Sequence, residues 1–141
     1  MALKLGEAEK PLKIIFDSNA LFVPLQFKID IFEELKTLLN VNLEFILPSP
    51  ILQELKMLAE KKSPIMRKNA SYALKLAEKC KLLNVPRDFS GSPDDAVVEA
   101  ARRGNSAVFT NDRQLKKRLR NINVPVIYVR QKSRLEIDGR I

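Results

Sequence analysis

The chain contains no histidine and a single cysteine, Cys80. Without an imidazole base, the Ser-His-Asp and Cys-His nucleophile systems are excluded. Most zinc catalysis falls with them, because its ligands are imidazole and thiolate. One cysteine also builds no disulfide framework, so a reducing cytoplasm is the natural compartment. No apolar run approaches the roughly 20 residues of a membrane helix. The opening "MALKLGEAEKP" lacks the apolar core of a secretory signal. Internal repeats and low-complexity linkers are absent. Aromatic residues make up only 6% of the chain, which does not indicate sequence-specific reading of stacked bases. Any enzyme built on this chain must work with carboxylates, lysine, hydroxyls or a hard metal ion held by oxygen.

Acidic residues are scarce in one region. Residues 102–141 hold 11 basic residues against only Asp112, Glu136 and Asp138, whereas residues 1–101 balance at 14 basic and 14 acidic. The whole net charge of +8 therefore lies in the last forty residues. Positive charge concentrated in this way attracts phosphate backbones, the alternative being a solvated face that aids solubility. At 141 residues the chain is one domain with room for a real core.

Strand and helix patterns alternate along that domain. "KIIF" (13–16) is a buried-strand run ending at Asp17, "LEFILP" (43–48) a second stopped by Pro48, and "KLLNV" (81–85), "SAVFT" (106–110) and "PVIYVR" (125–130) are the later strands. Helical spacing marks residues 30–39, the segment opening at Ser49-Pro50, residues 67–80, residues 92–104 with Ser92 as cap, and residues 112–122. Residues 1–11 and 131–141 read as loosely held ends. Alternating β and α elements predict a three-layer α/β/α sandwich around a mainly parallel sheet. Ligands of such sheets bind beyond the carboxyl ends of the strands.

Four acids fall at that end. Asp17 follows the first strand, Asp112 follows "AVFTN", Glu54 lies one turn into the helix leaving the second strand, and Asp95 sits third in the helix after Ser92. Each has a local reading. Asp17 or Asn19 caps a short helix, Ser92 and Asp95 form a capping box, Asp112 caps the basic helix, and Glu54 is solvated. Local roles leave the convergence on one edge unexplained. Clustered carboxylates repel each other and are stable mainly around a cation, and an all-oxygen donor set selects Mg²⁺ or Mn²⁺.

"IIFDSNALF", "PSPILQELKMLA", "SPDDAVVEAARRGNSAVFTNDRQLKKRL" and "VPVIYVR" resemble the successive signatures of PIN-domain proteins, over roughly residues 12–130. The resemblance implies a five-stranded parallel sheet and a metal-dependent endoribonuclease. The metal-binding acids would then be Asp17, Glu54, Asp95 and Asp112, with Asn19 and Thr110 as hydrogen-bonding supports. For the third acid, the family's Asp-Ala-x-x-x-Ala pattern favours Asp95 over the adjacent Asp94. At helical spacing Asp95 shares a face with Glu99 and Arg102, and Asp94 lies nearer Val97 and Ala101. Archaeal-type PIN proteins similar to small-subunit ribosomal RNA processing nucleases are the nearer match, and VapC toxins the more distant one. RNA, in particular rRNA or pre-rRNA, is the implied partner, and the backbone is assigned to Arg113, Lys116, Lys117 and Arg120 on the basic helix. A homodimer or protein partner is left open, and a membrane is not expected.

Two other classes compete with the nuclease. A non-catalytic RNA-binding or ribosome-assembly module would use the basic helix and keep the acids for structure. A receiver-type signalling domain would need adjacent acids near the first strand and an Asp after a central one. "FDSN" supplies a single acid and "EFILPSP" ends in none.

Overall fold

The computed structural model describes residues 10–141, so the expectation for the extreme N-terminus lies outside the described residues except at Lys10 and Pro11. Strand β1 (Leu12–Phe16) is followed by a 3₁₀ turn (Ser18–Phe22) and the short helix α1 (Val23–Phe27). Next come α2 (Ile31–Leu39), β2 (Leu43–Pro48), α3 (Ser49–Leu58), α4 (Pro64–Ala77) and the short strand β3 (Lys81–Leu83). Helix α5 (Pro93–Ala101), β4 (Ser106–Phe109), α6 (Arg113–Asn121), β5 (Val126–Arg130) and β6 (Arg134–Asp138) complete the chain. No helix among the described residues is long and apolar enough to cross a membrane.

The sheet runs β3-β2-β1-β4-β5-β6, parallel except for β6, which pairs antiparallel with β5. It therefore has six strands where five are expected, and residues 134–138 form an edge strand where a loose end is expected. Leu135 is buried and pairs with Val129, which gives the strand its anchor. The connecting turn carries positive φ at both Gln131 (53°) and Lys132 (60°), closed by Ser133 N–H donating to the Arg130 carbonyl at 3.2 Å. Such turns normally announce themselves with Asn-Gly or Asp-Gly, and Gln-Lys hides this one.

After β1 the chain moves to β2 and β3 on one side, then returns past β1 to lay β4 on the other. By the right-handed rule for parallel crossovers, the connections on the two sides cover opposite faces of the sheet. The order reverses between β1 and β4, and the carboxyl end of that gap is where such sheets bind ligands. Both strands are apolar over their last three residues and end at Phe16 and Phe109, which stand opposite each other in register. The Phe16 ring packs against Phe32, Phe45 and Phe109 at centroid distances of 5.7, 5.8 and 5.7 Å. This ring cluster fixes the strand ends from which Asp17 and Thr110 project.

Candidate active site

Asp17 is 4% exposed, and its amide continues the sheet by donating to the Phe109 carbonyl at 3.1 Å. A buried carboxylate needs donors, and three supply them. Ser18 N–H donates to Oδ1 at 2.8 Å; the Thr110 hydroxyl and the Asn19 amide donate to Oδ2 at 2.7 and 3.0 Å. Burial nevertheless raises the Asp17 pKa. The donors pull it down, led by Thr110, while the Asp112 charge pushes it up. Thr110, fully buried, in turn accepts the Asp112 amide at 3.0 Å, and Asn19 Oδ1 accepts the Asn111 amide at 3.0 Å. Asn111 Oδ1 accepts Val129 N–H at 2.9 Å, which ties this loop to β5. The segments "DSN" and "TND" thus form one hydrogen-bonded unit across the switch point, with Asn19 and Thr110 as its supports.

Asp112 caps α6: its Oδ1 accepts Gln114 and Leu115 amides at 2.8 and 3.2 Å. Oδ2 makes no hydrogen bond among the described residues. Glu54, half-buried on α3, has a raised pKa, first through burial and then through the charges of Asp17 and Asp94. The nearby Ser18 side chain lowers it, which gives Ser18 a role that its sequence context does not announce.

The two adjacent aspartates at the start of α5 stand in different surroundings. The Asp94 pKa is raised by burial and then by the charges of Asp17 and Asp112, with Arg118 opposing, so Asp94 stands within the field of the other acids. Asp95 instead closes the capping box. Its amide donates to Ser92 Oγ at 3.1 Å and its Oδ2 accepts Ser92 N–H at 3.0 Å. Its Oδ1 is bound by Arg118 at 2.9 Å, and these bonds lower its pKa. The reason is the helical period. Val97 and Ala101, three and seven residues after Asp94, are buried, whereas Glu99 and Arg102 beside Asp95 are exposed. The spacing was in the sequence, and the burial of those faces sets the surroundings of the two side chains apart.

The four acids that influence one another are therefore Asp17, Glu54, Asp94 and Asp112. Among the described residues no three stand close enough together to enclose an ion on their own. That spacing still suits Mg²⁺, which is commonly held by one or two carboxylates and keeps several waters, with substrate phosphate completing its shell. The donor set is all oxygen, and its mutual repulsion is the kind a hard cation relieves.

Two grooves flank the acids. One, of about 620 Å³, contains Thr110 and Asn111 in its wall together with Arg113, Lys116, Arg130 and Lys132. Lys116 sits 3.9 Å from the centre of the Tyr128 ring and pairs with Asp138 at 3.3 Å. Of the four expected RNA-binding cations, Arg113 and Lys116 reach this groove and Lys117 and Arg120 do not. Arg120 is committed to Asp138 and the Val124 carbonyl, both at 3.3 Å. Arg130 and Lys132, at the end of β5 and in the β5–β6 turn, line the groove with Arg113 and Lys116. The other groove, also about 620 Å³, has Glu54 in its wall beside residues of the 84–93 loop.

A family model described as a PIN-like domain matches residues 14–132. The chain is 33% identical over 132 residues to Ribonuclease VapC4 of Methanocaldococcus jannaschii, covering 92% of this chain and 98% of that protein. Among solved structures it is similar to the PIN domain endonuclease Utp24, with 27% identity, a TM-score of 0.75, and 93% and 94% of the two chains covered. The VapBC2 structure from Rickettsia felis bound to a promoter DNA fragment shares the fold at 16% identity, with a TM-score of 0.61 over 84% of this chain and 99% of that one.

Proposed function

This chain belongs to the PIN-like domain family, and from that premise we propose that it is a metal-dependent endoribonuclease hydrolysing RNA phosphodiester bonds. The observation that carries the reading is the buried Asp17, bonded to Thr110 across the switch point and raised in pKa beside Asp112. Asp17 also caps the 3₁₀ turn through Ser18 N–H, yet burial and the Asp112 charge keep it raised, a cost that a cation would relieve. Asp17, Glu54, Asp94 and Asp112 would hold Mg²⁺ or Mn²⁺, which when bound supplies a water of lowered pKa and stabilises charge on the phosphoryl group. Thr110 and Asn19 orient the Asp17 oxygens, and Asp112 gives only Oδ1 to its helix cap. Arg113, Lys116, Arg130 and Lys132 draw the RNA backbone to the edge of the acids.

For substrate we propose ribosomal or precursor ribosomal RNA, on the similarity of the "DDAVVEAA" and "TNDRQLKKRLR" motifs to rRNA-processing PIN proteins and the likeness to the Utp24 endonuclease. The 33% identity to Ribonuclease VapC4 favours a second reading, a toxin-type ribonuclease held by a protein partner. Incubating structured rRNA with the wild type, Asp17→Asn and Asp112→Asn, with and without Mn²⁺, tests the activity. Cleavage by the wild type alone, only with metal, is expected; equal cleavage by all three removes the assignment. Growth arrest on expression of the wild type, relieved in Asp17→Asn, would select the toxin reading.

A further inference from the structure

The groove beside Glu54 is built unlike its basic counterpart. Of the seven phenylalanines, six lie in the hydrophobic core or pack against it; Phe89, in the loop between β3 and α5, does neither. Its position is nonetheless fixed. Phe89 N–H donates to the Pro86 carbonyl at 3.0 Å, and Val85 N–H donates to Ser49 Oγ at 2.9 Å, tying the loop to the start of α3. The ring lies over Gly91, where an added Cβ would come within 2.6 Å of the ring and 2.8 Å of the Asp95 Cβ. Only glycine lets the ring rest there. Beside it, Met57 is 64% exposed, and the amides of Gln53 and Asn84 line the same groove with Arg87. An apolar floor left open to water, edged by amides and adjoining a catalytic carboxylate, is a poor surface for solvent and a good one for a flat heterocycle. Its volume of about 620 Å³ falls within the range of small-molecule sites.

We propose that this groove takes one unpaired nucleobase of the RNA, on the Glu54 side of the scissile phosphate. The base stacks on Phe89 against Met57, the Gln53 and Asn84 amides meet its edge, and Arg87 meets a flanking phosphate. The opposite groove does not duplicate this role: Lys116 already covers a face of the Tyr128 ring, Phe27 packs against the core, and Arg113, Arg130 and Lys132 add three more cations to the wall. That side follows phosphates; this side grips a base. Bases in an A-form duplex are stacked on both faces, so the strand must be single where it crosses the acids. The inference rests on the endoribonuclease reading and specifies its substrate as single-stranded at the cut.

Binding of a labelled single-stranded RNA to the full chain without added metal tests it, with one abasic nucleotide walked along the strand. The wild type is expected to lose roughly tenfold in affinity at one abasic position. Phe89→Ala should lose a similar factor on the intact strand and nothing further at that position. Phe89→Trp should bind as the wild type does, and Gly91→Ala, which displaces the ring without removing it, should bind as Phe89→Ala does. Equal affinity of Phe89→Ala and wild type, or equal affinity for single strand and annealed duplex, would overturn the base site alone. If the wild type binds none of these RNAs, the endoribonuclease reading fails and the base site with it.

Discussion

Adjacent aspartates with opposite roles make a sharp prediction. Asp94 is half-buried in the field of Asp17 and Asp112, with Arg118 offsetting part of the repulsion. An exposed ion pair is worth at most ~1 kcal/mol, and a pair near a protein surface at contact distance up to ~4 kcal/mol. At half burial, the repulsions of Asp17, Asp112 and Asp95 less the Arg118 attraction leave about 1 kcal/mol working against the metal-free fold at neutral pH. Asp94→Asn should therefore raise the Tm in EDTA, by roughly 3–5 °C for a domain of this length. Asp95→Ala, which breaks the capping box and the Arg118 pair, should lower it. Metal reverses the order for Asp94. At an ion concentration a hundred times Kd, the wild type gains about 2.7 kcal/mol, and a variant binding a hundredfold more weakly gains only about 0.4 kcal/mol. Differential scanning fluorimetry in EDTA and in Mn²⁺ reads both effects. A fall in Tm for Asp94→Asn in EDTA, or a Mn²⁺ response kept in Asp94→Asn and lost in Asp95→Ala, would show that Asp95 belongs to the cluster.

Three further outcomes follow from the same contacts. Thr110→Val removes the donor to buried Asp17 and the acceptor of the Asp112 amide; chemical denaturation should show a loss of roughly 1–3 kcal/mol. Glu54 is raised in the folded state, so the metal-free fold binds more protons than the unfolded chain between the ordinary carboxylate pKa and the raised value. Its contribution to stability falls as pH rises through that window, so Glu54→Gln should stabilise at pH 7 and become neutral near pH 4, as thermal melts across pH would show. At the β5–β6 turn, replacing Gln131-Lys132 by Asn-Gly relieves two left-handed residues; a gain of about 1 kcal/mol in urea unfolding is expected, and a loss would mean the turn's side chains matter more than its backbone.

The β/α alternation was legible because each central strand carries a run of three or more apolar residues, such as Ile14–Phe16, Phe45–Leu47 and Ala107–Phe109, stopped by an acid, a proline or a polar turn. "KIIF" and "SAVF" end in register, so the position of Asp17 and Asp112 at one sheet edge followed from pattern alone. What escaped was set by packing. The 3₁₀ turn after Asp17 and α1 are too short for periodicity to register. Helix α4 begins at Pro64, earlier than the expected 67, because Ser63 caps it by accepting the Met66 amide at 3.3 Å. In "RLEID" the alternation of Leu135 and Ile137 was present, masked by charge on either side and by a turn without glycine. Lys117 and Arg120 share α6 with Arg113 and Lys116, but the return of β6 places Asp138 against Lys116 and Arg120 alike, and of these two only Lys116 also lines the groove.

The local and functional readings of the acids do not compete. Asp112 gives one oxygen to its helix cap and keeps the other free of hydrogen bonds among the described residues. Asp17 accepts on both oxygens, yet three bonds do not cancel its burial. A carboxylate kept only as a cap sheds its desolvation cost by remaining at the surface, as Asp95 does; its bonds lower its pKa. The direction of the shift thus separates the two kinds of acid where residue type and helix position do not. By that criterion Asp17, Glu54 and Asp94 are held at a cost their own hydrogen bonds do not offset, and a divalent cation is the partner that would offset it.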